Sequence, residues 1–165
     1  MNYFDLFKVR MGFDIDLVDL EAKYLTLQKE SHNYTSDNSN VTSIFAAVDI
    51  NKSYEILKDD IKRCEYLFSL FGVNLDDYKL SQSFYEYILE VSDDIDDAEG
   101  EERDERIDEL EIEIQEVRQI LIESLSNLTI HDELDSDIIQ VFLQFKYLRS
   151  IATKLHRTQH NILHA

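Results

Sequence analysis

The chain has 165 residues, room for one ordinary domain or two small ones, and 44% of them are hydrophobic, which supports a packed core and excludes wholesale disorder. With no proline and three glycines it lacks the punctuation of a β protein, and a net charge of −19 argues against binding to phosphate backbones or anionic membrane surfaces. The single cysteine, Cys64, permits neither an intramolecular disulfide nor a Cys-x-x-Cys knuckle, which fits a reducing compartment. No apolar run reaches membrane-spanning length. The first residues lack a basic region followed by an apolar stretch, so no signal or transit peptide is expected.

Asn2 to Phe7 has a polar start followed by aromatics and reads as a short buried helix. Asp16 is placed to cap a second helix, on which Leu17, Leu20, Tyr24, Leu27 and Ser31 share one face while Lys23 and Lys29 lie off it. The stretch Ser31 to Asn40 is turn chemistry and predicts the end of that helix and a chain reversal. Ile44, Ala47, Val48, Asn51, Tyr54 and Leu57 then predict a third helix, antiparallel to the second. Asp59-Asp60 interrupts, and Asp60 is placed to cap a fourth helix with Ile61, Cys64, Leu67, Phe68 and Phe71 on its apolar face. The charges Lys58, Lys62 and Arg63 fall between the apolar positions, and Gly72 stands where a left-handed C-cap belongs.

A polar connector, 73–81, leads to three apolar stripes. The first is Phe84, Ile88, Val91 and Ile95. The second runs Ile107, Leu110, Ile114, Val117, Leu121, Leu125 and Leu128. The third is Leu134, Ile138, Val141, Phe145, Leu148, Ala152 and Leu155. Near-heptad spacing in all three suits a small bundle with shallow crossing angles. The expected fold is therefore all-α: a helical hairpin unit over 1–72, the connector, and a three-helix bundle over 82–165.

Few residues ask for chemistry. A calcium loop anchored on Gly100 would place Ile95 and Arg106 at ligand positions, which rules it out. No nucleophile elbow, P-loop or dinucleotide glycine pattern is present, so no enzyme and no cofactor is expected. His156, His160 and His164 recur every four residues and offer one alternative function, a histidine-based metal-binding protein. Cys64, on an apolar face, reads as a packed, inert thiol. The apolar residues outside the stripes carry more information. Tyr85 and Leu89 share a face beside Glu86, Glu90, Asp93 and Asp97, and Leu143 and Tyr147 lie opposite the last stripe. Apolar residues with an acidic rim are the anatomy of a protein-binding patch.

Several of these segments also resemble one family. Asn2-Tyr3-Phe4-Asp5-Leu6-Phe7, the Tyr54-x-x-Leu57 pair and above all Arg63-Cys64-Glu65-Tyr66-Leu67-Phe68-Ser69-Leu70 resemble HscB, the J-domain co-chaperone of bacterial iron–sulfur cluster assembly. The resemblance implies an N-terminal J-domain and a C-terminal three-helix bundle, in a cytoplasmic bacterial protein with two protein partners, an HscA/DnaK-type chaperone and the IscU scaffold. The net charge independently leads to the expectation of no nucleic-acid or membrane partner. The resemblance assigns chaperone contact to Lys23, Lys29 and the tripeptide position, which reads His32-Asn33-Tyr34 instead of histidine-proline-aspartate. Asn33 supplies no rigid φ and Tyr34 no carboxylate, so weak stimulation of the chaperone's ATPase is expected, and a relative that has lost chaperone coupling is the second alternative. It assigns scaffold contact to Tyr85, Glu86, Leu89, Glu90, Asp93, Asp97 and Tyr147, with Glu86 standing where an apolar residue is usual.

Overall fold

The computed structural model describes the backbone of residues 2–34, 40–126, 128 and 132–162, and the side chains of these residues except 32–34, 40–47 and 156–162. Every regular element among them is helical, and the chain divides into two compact units, Met1–Leu70 and Phe71–Ala165.

The first unit begins with α1, Tyr3–Phe7. Its start is fixed by a reciprocal cap: Asp5 N donates to Asn2 Oδ1 at 2.9 Å and Asn2 N donates to Asp5 Oδ2 at 3.2 Å. Lys8 ends it in the left-handed region at φ 52°. Phe4 and Phe7 are buried, and the Tyr3 ring stacks on Tyr66 at 4.2 Å. The second helix, α2, spans Leu17–Tyr34, and Asp16 Oδ1 accepts from the backbone of Val18 and Asp19 at its start. Against it lies α3, Asn40–Leu57, followed by α4, Asp60–Leu70.

Four expectations for this unit need correction. Leu17, Val48 and Asn51 are exposed, so among the described side chains the buried rows of α2 and α3 rest on Leu20 and on Ile50, Ser53 and Leu57. The α4 cap is Asp59, whose Oδ1 accepts from Lys62 N at 2.9 Å; Asp60 instead pairs with Arg63. Arg63 is not a surface charge between apolar positions but a core residue, 1% exposed. Its Nε donates to Phe13 O and one terminal nitrogen to Leu57 O, each at 2.6 Å, and the other terminal nitrogen pairs with the Asp60 carboxylate. A guanidinium carries its donors in a planar fork with no acceptor, so it can tie three separate acceptors to one point. Phe13, in the segment between α1 and α2, lies against it with 5.4 Å from ring to guanidinium carbon. Finally, α2 does not stop at Ser31: the helix continues through His32, Asn33 and Tyr34. Nothing in that run forbids helix, since it contains no proline, and the Ser31 hydroxyl donates back to Gln28 O at 2.8 Å.

In the second unit, Gly72 takes φ 77°, and a 3₁₀ turn at Leu75–Asp77 precedes α5, Gln82–Asp97, whose start is capped by Ser81. Gly100 at φ 58° opens α6, Gly100–Leu125, and α7 follows over Ser136–Ile162. The α5 stripe holds its register: Ile88 and Ile95 are buried and Ala98 extends the row. On α6 the residues Ile107, Leu110, Ile114, Val117, Leu121 and Leu125 are all buried. The α7 stripe is wider than its spacing predicts. Ile139, Phe142 and Leu143 join Phe145, Leu148, Ala152 and Leu155 in the core, while Leu134, Ile138 and Val141 are only half-buried. The connector accounts for Leu143, because Leu75 and Tyr78 share a groove with it, and Gln140 Nε2 donates to Lys79 O at 2.9 Å.

Candidate functional site

Two surfaces carry the residues singled out above, one on each unit. On the first, the outer side of α2 holds Lys29, which is exposed, and Lys23, which is already engaged: its Nζ donates to Asp19 Oδ2 at 2.6 Å and to Lys8 O at 3.0 Å. Lys23 therefore pins the end of α1 to α2 as well as offering charge. Exposed apolar residues stand beside them, Val18 at 79% and Leu25 at 47%. Val18, Ala22, Leu25 and Lys29 follow helical spacing, a signal present in the sequence but masked by the core stripe on the other side of the same helix. The inner side of α2 meets α3 through polar groups. Tyr24 and Tyr54 stack at 3.9 Å, and the Tyr24 hydroxyl and Gln28 Nε2 both donate to Asn51 Oδ1 at 3.0 Å. The backbone of His32, Asn33 and Tyr34 is helical, and their side chains lie outside the described residues.

On the second unit, Tyr85 and Leu89 are each 47% exposed, one helical turn apart on α5. Glu86, Glu90, Asp93 and Asp97 are exposed beside them and form a continuous acidic row at helical spacing. Tyr147 is 42% exposed but has different neighbours: it lines a groove of about 350 Å³ with Leu75, Tyr78 and Leu143, none of them on α5. Leu143 is a correction, since it is 7% exposed and belongs to the groove floor instead of the outer surface. Tyr78 at the mouth of that groove was not legible as a site residue, because the polar connector gives no periodicity to read.

Between α5 and α6 the Tyr87 hydroxyl donates to Glu113 Oε2 at 2.7 Å. Partial burial and the adjacent carboxylate push its phenol up to about 12. In the first unit, burial drives the Cys64 thiol well above its ordinary value. Burial raises Tyr66 as well, although its oxygen accepts from Tyr3 N at 3.0 Å. Among the described residues no group of three or more histidine, cysteine or acidic side chains could hold a metal ion. The side chains of His156, His160 and His164 lie outside the described residues. No helix among the described residues is long and apolar enough to cross a membrane.

A helical-hairpin unit followed by a three-helix unit defines the class: a two-unit protein whose described elements are all helical. No family model matches the sequence. A co-chaperone protein HscB homolog of Shewanella frigidimarina is 30% identical over 164 residues, covering 94% of this chain and 93% of that one. An HscB homolog of another Shewanella strain is 38% identical over 79 residues, which is 46% of this chain and 45% of the relative. The structure of the chaperone HscB from Vibrio cholerae superposes with a TM-score of 0.81 at 21% identity, covering 98% of this chain and 99% of that chain. The chain belongs to the HscB family of co-chaperones, with its J-like helical unit at the N-terminus and the helical bundle at the C-terminus.

Proposed function

We propose that this protein binds an IscU-type iron–sulfur cluster scaffold through its second unit and presents it to an HscA/DnaK-type chaperone, whose ATPase it stimulates through α2. On this reading it carries no catalysis of its own, needs no cofactor and works in the bacterial cytoplasm. The observation that carries the reading is the exposed pair Tyr85 and Leu89 beside the acidic row, in a chain similar to HscB homologs over nearly its whole length. Aromatic and leucine side chains exposed in the free protein are the residues that gain most from desolvation on binding, while a flanking acidic row steers and orients. Tyr147 contributes a further aromatic from α7, and Lys23, Lys29 and His32 to Tyr34 form the chaperone end. Calorimetric titration with the scaffold tests the first half: alanine at Tyr85 or Leu89 should cost about 1–2 kcal/mol, with the melting temperature unchanged. Unaltered affinity in a folded Tyr85/Leu89/Tyr147 triple-alanine protein would refute it.

One observation favours a variant of this function in which chaperone coupling is weakened. The tripeptide position is the last turn of α2 itself, with neither a proline nor an acid in it. Restoring both with Asn33→Pro and Tyr34→Asp should raise chaperone ATPase stimulation. Strong stimulation by the natural chain that is lost in His32→Ala would overturn the weakened reading.

A further inference from the structure

The Tyr87 side of α5 holds a second feature, one helical step round from the acidic row. Here α5 and α6 leave a groove of about 350 Å³. Its floor is apolar, built on Val91, Ile95 and Leu110, the last two being 1% and 2% exposed. Its walls are acidic, with Glu90 and Asp94 one turn apart on α5 and Glu109 and Glu113 one turn apart on α6. Among the described residues the one cation lining it is Arg106, which is held by Glu109 at 3.4 Å. Four carboxylates against one guanidinium leave three negative charges uncompensated around the groove. The Tyr87 hydroxyl fixes the Glu113 carboxylate on its wall.

Resting on the scaffold-binding reading above, we propose that this groove receives a lysine or arginine side chain of the scaffold partner. The aliphatic stem would lie along Val91, the half-buried member of the floor, and the charged head would sit between Glu90, Asp94 and Glu113. Long basic side chains divide themselves in this way between apolar surface and charge. A bare metal ion fits less well, because an apolar floor offers it no ligands and no metal-holding group occurs among the described residues. A second copy of the chain is disfavoured by charge, since each copy brings a net −19. Glu90 connects the groove to the scaffold: it lines the groove and also stands in the acidic row next to Leu89. A partner seated on Tyr85 and Leu89 is therefore within one helical step of the groove mouth.

The arrangement has a signature that a structural role would not produce. Like charges four residues apart on one helix repel, so Glu90 and Asp94, and likewise Glu109 and Glu113, destabilise the free protein. Neutralising them should raise the melting temperature and weaken scaffold binding together. The test is calorimetric titration of the full chain with the scaffold, using Asp94→Asn/Glu113→Gln, a Leu89→Ala variant, and a control Glu101→Gln/Glu102→Gln outside the groove. The groove variant should lose about tenfold in affinity at low salt and less at high salt, and it should melt no lower than the natural chain. The control should bind normally. If Leu89→Ala weakens binding while the groove variant does not, or if the control loses as much as the groove variant, the groove is overturned and the scaffold reading stands. If the natural chain does not bind the scaffold at all, both fall.

Discussion

Helices α6 and α7 pack on each other, and each carries a buried apolar row, Ile114, Val117 and Leu121 on α6 and Phe142, Phe145 and Leu148 on α7. Between α2 and α3 the contact runs through Tyr24, Gln28, Asn51 and Tyr54, and the segment before α2 is tied to α4 by a buried arginine. Apolar packing is tolerant, since its strength follows area and volume, and neighbours can adjust. The buried arginine tie is not, because each buried donor or acceptor left alone costs its desolvation, whereas the Tyr24, Gln28 and Asn51 bonds lie at exposed positions and cost less to lose. The comparison teaches that the first unit adds one irreplaceable buried polar hub, Arg63, to an apolar core of Phe4, Phe7, Leu20, Leu57 and Phe68, while the second rests on exchangeable apolar rows.

The largest effect should come from breaking the polar side of this comparison. Arg63→Met keeps the bulk but strands the carbonyls of Phe13 and Leu57 and the Asp60 carboxylate, and should cost about 3–5 kcal/mol. Amide exchange should rise through Met1–Leu70 first. Exchange rising equally in both units would show that the two are not specified separately. Next comes Ile114→Ala in the bundle, expected to cost about 2–4 kcal/mol by denaturant titration, with protection lost from α6 and α7. Ile114→Leu should be nearly silent, and no conservative swap of that kind should exist for Arg63.

Alkaline pH sharpens the contrast at smaller amplitude. The folded Cys64 thiol lies well above its ordinary 9.0, so its contribution is fully present below that value. It falls as pH rises further, because only the unfolded thiol ionises there. Cys64→Ala should therefore flatten the stability of the first unit above pH 9. In the second unit Tyr87 rises from 10.0 to about 12, so its contribution fades between those values and Tyr87→Phe should remove that slope. This is the smallest effect, because Tyr87 remains 38% exposed and solvent screens the interaction. Circular dichroism melts across alkaline pH read both.

The same division explains what could be read from sequence. Most of the α5 and α6 stripes was legible because heptad spacing and burial coincide in a bundle, although Phe84 and Val91 are only half-buried and Leu128 lies beyond the end of α6, and the cap at Asp16 and the left-handed Gly72 follow from local chemistry. Leu143 was misplaced because the connector covers a face of α7 that helix periodicity alone leaves open. Arg63 was misplaced because a charged side chain is an outer residue by type, and only the long-range carbonyl of Phe13 makes the interior tolerable. The exposed Tyr85 and Leu89 could be picked out by their displacement from a clear stripe. Val18 and Leu25 were not, since their spacing on α2 is masked by the core stripe on the other side of the same helix.

Cys64 is the single sulfhydryl of the chain and is 0% exposed, wedged in α4 beside the arginine that ties the first unit together. A thiol-reactive dye can reach it only when that unit opens, so the natural chain carries its own clock for the event. Labelling rates would time the opening of the J-like half directly, with no engineered probe and no interference from the bundle.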